Sequence, residues 1–239
     1  MVEGLLLVNK PPGMTSHDVV QVVRKKLGIQ RIGHTGTLDP MARGLLILLV
    51  GKATKYQQAF QAHSKTYEAV LGLGMQTDTG DAMGKPVRIA PVPPLQRERI
   101  VEVLQAFQGR LSHTPPAYSA VKVRGRPAYW WVRRHQPVTL APRVVHLFEM
   151  TLIDSTRDAI TFRVHCSAGT YLRSIAQSVA EQLGTVGHLA SLVRLSIGSF
   201  RLEDAIPLRW IIQASPQELA SRLFPVRISF VVPPSPDRG

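Results

Sequence analysis

The sequence predicts an α+β fold, a mixed and mostly antiparallel central sheet flanked by helices. Two observations carry this reading. Apolar or alternating runs of strand length recur at residues 5–9, 45–50, 66–73, 144–153 and 159–167, and helical patterns that end at glycine lie between them. The last two runs are separated only by residues 154–158, a spacing that pairs them antiparallel. With 239 residues the chain is long enough for one large domain and a substantial core.

Residues 5–9 read as a strand that breaks at Lys10-Pro11-Pro12-Gly13, a stiff turn. The sequence favours a solvated turn lysine at Lys10 over a phosphate contact. Thr15-Ser16 supplies an N-cap. Val19, Val22, Val23 and Leu27 share one helical face, Arg24 to Lys26 fill the last turn, and Gly28 stops the helix. Residues 33–40, Gly-His-Thr-Gly-Thr-Leu-Asp-Pro, hold so many turn formers that neither helix nor strand is expected through them. A strand at 45–50 follows, then a short helix from 52 to about 61. The alternation over 66–73 predicts a strand with Tyr67 half-buried near its start.

Residues 74–81 are a turn cluster. Asp78 and Asp81 carry part of a calcium-loop pattern but lack its other ligands, so a turn with side-chain hydrogen bonds is expected. Ile100, Val103, Leu104 and Phe107 mark an amphipathic helix ended by Gly109. After the strand pair, Leu172, Ile175, Ala176, Val179 and Leu183 line a helix ended by Gly184, which puts Tyr171 and Arg173 at a strand-to-helix junction. A short strand near 195–200 and a helix at 216–223 close the fold. Residues 226–239 form a Pro-rich tail.

Lys and Arg outnumber Asp and Glu by 29 to 16, a net charge of +13 that points to a polyanionic partner. Residues 114–143 concentrate it. Lys122, Arg124, Arg126, Arg133 and Arg134 interleave there with Tyr118, Tyr129, Trp130 and Trp131, with no acid between them. Such a segment can grip phosphates while stacking on bases, and it reads as an RNA-facing appendage. The single cysteine, Cys166, excludes an intramolecular disulfide and a cysteine-based metal cluster; its alternation with Ile160, Phe162 and Val164 makes it a buried strand residue. The longest aliphatic run, 45–50, is too short to span a bilayer, and Lys10 follows the N-terminal apolar run rather than preceding it. A cytoplasmic protein without membrane attachment is expected. No P-loop, dinucleotide fingerprint or zinc spacing occurs, so neither cofactor nor metal is expected.

The chemical candidate is Asp39. Pro40 pushes it toward extended geometry, the glycines around it permit tight turns, and the apolar run at 45–50 can anchor the loop to a core. Taken alone, an Asp-Pro pair is an ordinary turn. A held, accessible carboxylate beside a histidine is also what a nucleophile or general base needs. His34, in a glycine loop, is expected to be exposed for stacking or hydrogen bonding rather than packed in the core.

Taken with Lys65-Thr66-Tyr67, Pro115-Pro116-Ala117-Tyr118-Ser119-Ala120 and Cys166-Ser167-Ala168-Gly169-Thr170-Tyr171-Leu172-Arg173, the loops at 7–13 and 33–40 resemble the TruB family of bacterial tRNA pseudouridine synthases, in order from about residue 5 to 225. The resemblance implies a pseudouridine synthase fold with the active-site cleft across the sheet, and isomerisation of uridine 55 in the T-loop of tRNA without cofactor or metal. It implies that Asp39 is the catalytic nucleophile, that Tyr67 stacks on the flipped base, and that Arg173 pairs with the Asp39 carboxylate. On the substrate side it implies that His34 helps to hold the T-loop open, that Tyr171 lines the pocket and that Leu192 is a pocket wall. Lys10 falls in a motif that buttresses the catalytic loop and is counted with the substrate-side residues. The basic segment at about 114–143 corresponds to an RNA-clamping insertion. The expected organisation is a catalytic domain over residues 1–225 followed by the tail at 226–239, without a complete PUA-type RNA-binding domain. The expected partner is the tRNA T-stem-loop, with no guide RNA, and the expected state a monomer. Two rivals stay open: a non-catalytic tRNA-folding factor, and an RNA-guided enzyme of the same fold.

Overall fold

A computed structural model describes residues 2–227. In chain order its elements are β1 (Gly4–Lys10), α1 (Ser16–Leu27), β2 (Ile32–His34), β3 (Arg43–Val50), a 3-10 turn (Gly51–Tyr56) leading into α2 (Gln57–Ala62), β4 (Lys65–Leu73), β5 (Met75–Thr77) and β6 (Pro86–Ile89). There follow α3 (Arg97–Ala106), β7 (Gly109–His113), β8 (Lys122–Val123), β9 (Arg126–Pro127), α4 (Ala128–Val132), β10 (Arg143–Ser155) and β11 (Ala159–Cys166). The chain continues through α5 (Leu172–Gln182), β12 (Gly187–Ile197), β13 (Phe200–Arg201), a second 3-10 turn (Leu202–Asp204), β14 (Ile206–Pro207), α6 (Leu208–Gln213) and α7 (Pro216–Ser221). The class is α+β, as the sequence predicts: mixed, mostly antiparallel strands with helices packed on them. The chain divides into two compact units, one from Met1–Tyr67 with Val193–Gly239, the other Glu68–Leu192.

In the first unit the strands run β14, β1, β3 and the end of β12, with β2 also on β3 and β13 on β12. β1 and β3 pair antiparallel from Gly4↔Val50 to Lys10↔Gly44, and β3 meets β12 in parallel at Arg43↔Val193 and Gly44↔Arg194. Both faces of β1 and β3 are covered. Leu6, Val8, Leu46 and Leu48 pack with α1, α6 and α7, while Leu5, Leu7, Leu45 and Ile47 pack with Phe60 and Phe200. That is why residues 45–50 are apolar without alternation. Gly44 is required where β3 and β12 meet: its φ is +108°, and a Cβ would stand 2.4 Å from the Arg194 carbonyl oxygen.

Thr15 caps α1 as expected. Its hydroxyl accepts from the Asp18 amide at 3.1 Å while the Asp18 carboxylate accepts from the Thr15 amide at 2.8 Å. Gly28 ends the helix at φ 67°. Two expectations are corrected here. Gly33 and His34 are not free of strand structure, since they pair with Leu49 and Leu48 as the end of β2. A glycine-rich stretch permits turns but does not bar an extended backbone where a neighbouring strand offers hydrogen bonds. The helix expected from 52 begins as a 3-10 turn and becomes α-helical only at Gln57.

In the second unit the order is β12, β4, β11, β10, β7, and β10–β11 form the predicted antiparallel pair. Cys166 is buried at the end of β11, as its alternation implies. α3 packs against β10 and α5. Not foreseen are the β5–β6 ribbon, β7, and the start of β12 at Gly187 rather than near 195. Residue 187 must be glycine, because a Cβ there would lie 2.7 Å from Leu71 Cδ1 and 2.8 Å from Ala180 Cβ. No helix among the described residues is long and apolar enough to cross a membrane. Of the expected tail, residues 228–239 lie outside the described residues.

Candidate active site

Asp39 is half-buried in a loop fastened at several points within the first unit. Ser16, in the first turn of α1, accepts from the Leu38 amide at 2.8 Å and donates to the Leu38 carbonyl at 3.2 Å. Leu38 itself is 2% exposed and plugs the core. On the other side of Asp39, the Gly13 amide donates to the Pro40 carbonyl at 2.8 Å and the Ala42 amide to the Asp39 carbonyl at 3.0 Å. The turn at residues 10–13 and the loop at 33–40, separate motifs in the sequence, are one hydrogen-bonded structure.

Lys10 closes that structure from beneath. The sequence favours a solvated lysine, yet the side chain is fully buried, and its ammonium donates to the carbonyls of Met14 at 2.6 Å, Pro11 at 2.9 Å and Pro40 at 3.4 Å. Pro11 and Met14, at either end of the turn, supply two of its acceptors and Pro40 of the Asp39 loop the third. Lys10 is therefore a buried support for the Asp39 loop. Burial is the main cause that pushes its pKa down to about 8, aided by Arg194 and opposed by the negative charges of Asp39 and Asp18.

Arg194 is no candidate in the sequence, where it lies just ahead of the short strand expected near 195–200. It is 1% exposed, and its guanidinium donates to the Leu45 carbonyl at 2.7 Å and the Gly36 carbonyl at 3.1 Å. It thus bridges the middle of the loop to the strand that anchors it. The planar fork of a guanidinium in register with Gly44 fits the two carbonyls at once. His34 is half-buried rather than exposed; burial and then the charge of Arg194 lower its pKa, so that the ring is neutral at neutral pH. The Gly36 amide approaches its Nδ1 at 3.4 Å. Tyr67, 8% exposed, is the last residue of this unit before the division.

Arg173, Tyr171 and Leu192 belong to the second unit. Arg173 is 5% exposed in the first turn of α5. Its guanidinium donates to the carbonyls of Thr79 and Tyr118, both at 2.9 Å, and its Nε stands 3.8 Å from the buried Asp81 carboxylate. That last separation exceeds a hydrogen bond, so the attraction is Coulombic. Asp81 is held in turn by the Thr79 hydroxyl at 2.7 Å and the Met83 amide at 3.0 Å. The turn cluster at 74–81 is therefore a socket for Arg173, which the calcium-loop comparison could not suggest. Tyr171 is the N-cap residue of α5, its ring 6.0 Å from that of His113, and Leu192 is 6% exposed in β12. Among the described residues no three His, Cys, Asp or Glu side chains are grouped to hold a metal ion.

Residues 24–172 match the family described as TruB family pseudouridylate synthase (N terminal domain). The chain belongs to this TruB family. A TruB relative from Opitutus terrae named tRNA pseudouridine synthase B is 43% identical over 225 residues, 94% of this chain and 93% of that protein. One of the same name from Caldanaerobacter subterraneus is 41% identical over 88% of this chain and 74% of its own length. Among solved structures, a chain from a crystal structure of a Cbf5-Nop10-Gar1 complex matches with a TM-score of 0.70 at 27% identity. The match covers 93% of this chain but only 60% of that one.

Proposed function

We propose that this TruB-family chain is a tRNA pseudouridine synthase that isomerises uridine 55 of the T-loop, with Asp39 as the nucleophile. The observation that carries this is the mounting of Asp39, a half-buried carboxylate on a loop fastened by Ser16, Lys10 and Arg194. The names of the curated relatives support the substrate class. The reaction breaks C1′–N1 of the uridine, turns the base and joins C1′ to C5; the C5 proton leaves as the new bond settles, and the freed N1 takes up a proton. It is redox-neutral and balances without a cofactor. The carboxylate attacks and is regenerated, and it must arrive already aligned, because orientation supplies much of the rate in such a step. Flipping the base costs a few kcal/mol, part of which an aromatic partner such as Tyr67 returns. Lys10 and Arg194 act through the loop and not on the substrate.

The likeness to a chain of the Cbf5-Nop10-Gar1 complex favours a second reading, an enzyme that works only within a larger assembly. The higher identity and fuller length match of the relatives named tRNA pseudouridine synthase B favour the first reading, of which a chain that works as a monomer without a guide RNA is part. Tritium release from a T-arm transcript labelled at C5 of uridine separates these readings. Release by the purified chain alone, abolished in Asp39→Asn with RNA binding retained, is the expected result. Binding without release from either protein would overturn the stand-alone isomerase and favour the assembly reading. The pairing of Arg173 with Asp39 that the resemblance implies belongs to the same proposal, and Arg173→Met, expected to lose release while RNA binding is retained, tests it.

A further inference from the structure

The longest stretch of the chain without an acid carries five exposed cations between β7 and β10, and the way they are held says how they work. No Asp or Glu occurs between Glu102 and Glu149. The segment folds as the β8–β9 hairpin, turned at Arg124-Gly125 with φ of 49° and 77°, and continues directly into α4. Trp131 ties hairpin to helix: its indole N–H donates to the Val123 carbonyl at 2.9 Å, and its ring meets Trp130 edge-on with centroids 4.8 Å apart.

Four guanidinium groups lie against these rings. Arg134 stands 3.7 Å from the Trp130 ring centre and Arg126 5.6 Å from it; Arg133 is 5.4 Å from the Tyr129 ring and Arg124 5.8 Å from that of Trp131. The four arginines are exposed, whereas Trp130 and Trp131 are half-buried. An arginine drawn to a ring gives up rotamer freedom before any ligand arrives, yet keeps N–H donors for a second partner. With no carboxylate in the segment, that partner must come from outside it. Rings already covered by cations are poorly placed to stack on bases.

We propose that this cap grips RNA by its phosphates, through arginines set in place on Trp130, Trp131 and Tyr129, and that the rings are supports rather than platforms for bases. The inference rests on the reading of the chain as an RNA-modifying enzyme and deepens it. The test measures affinity of the full chain against salt for two RNAs, the T-arm hairpin and a blunt duplex of about one helical turn with no unpaired base. In the double variant Arg126→Gln/Arg134→Gln the slope of log K against log salt on the duplex falls by roughly 1.8, about 60-fold in affinity at 0.1 M salt referred to 1 M. The charge-preserving Arg126→Lys/Arg134→Lys and the support variant Trp130→Leu keep the slope but weaken both RNAs several-fold by a common factor. An unchanged duplex slope in the glutamine variant overturns the inference, as does a Trp130→Leu protein that loses the hairpin and keeps the duplex. Tritium release by the wild type alongside either of these results overturns the phosphate clamp alone. Slope loss as expected in a protein that releases no tritium supports the clamp and overturns the stand-alone enzyme.

Discussion

Replacing Lys10 by methionine tests whether the charge beneath the Asp39 loop is held there at a cost. A folded-state pKa of about 8 lies well below the ordinary lysine value of 10.5. Below pH 8 both folded and unfolded chains carry the proton, and the fold bears the full cost of the buried ammonium. Between 8 and 10.5 the unfolded chain binds more protons than the folded one, so stability rises with pH; above 10.5 the two states agree again. At ~1.4 kcal/mol for each unit, the rise between pH 7 and 9.5 is about 2 kcal/mol. Other groups titrate in the same range, so the quantity to measure is the difference between wild type and Lys10→Met in chemical denaturation at the two pH values. The wild type should gain about 2 kcal/mol on the variant as the pH is raised. In an Asp39→Asn background the rise should begin at lower pH, because the Asp39 carboxylate is one of the charges that raise the Lys10 pKa. Equal pH dependence of wild type and Lys10→Met would refute the claim that a charged lysine is buried under the loop.

Two further substitutions probe the anchoring of that loop. Arg194→Met strips the donors from the Leu45 and Gly36 carbonyls and should cost about 2–5 kcal/mol in a thermal melt, with Arg194→Lys rescuing only in part because an ammonium lacks the planar fork that fits the two carbonyls. Gly44→Ala should lose at least about 2 kcal/mol or fail to accumulate as folded protein, since its Cβ would meet the Arg194 backbone at a positive φ; an unchanged melt would mean that the two strands separate freely there.

What could be read in the sequence follows from what is local. The cap of α1, its glycine stop and the antiparallel pairing of β10 with β11 are decided by nearby residues, and the structure places them as expected. The loop around Asp39 is legible only in part: its turn formers are local, but Gly33 and His34 join β2 and the loop's fastenings come from Ser16, Lys10 and Arg194. Lys10 was misjudged because its acceptors are main-chain carbonyls, identical in every sequence, and one of them lies 30 residues away. Arg194 was passed over because parallel pairing with β3 leaves no local sign; the only hint was a glycine at position 44 within an otherwise apolar run. β7, with the sequence Gly-Arg-Leu-Ser-His, owes its strand to the neighbouring β10 and not to its own composition. The socket of Arg173 escaped for a related reason. Asp78, Thr79 and Asp81 do form a turn bound by side chains, but the turn is shaped around a guanidinium that comes 92 residues after Asp81 in the sequence, as 173 − 81 shows.

The anchoring of β3 by Arg194 also sets a timetable for synthesis. β3 is made early, yet Arg194, which grips the Leu45 carbonyl, lies 149 residues further along the chain. At ribosomal speeds of about 5–20 residues per second, a nascent chain waits roughly 7–30 s between making that strand and its clamp. Through that interval the run at 45–50, apolar on both faces, has only β1 and β2 to pair with, and its open edge invites association with other chains. Assembly of the Asp39 loop is therefore among the last events of biogenesis, and a chain released early would carry every residue of that loop without the means to hold it.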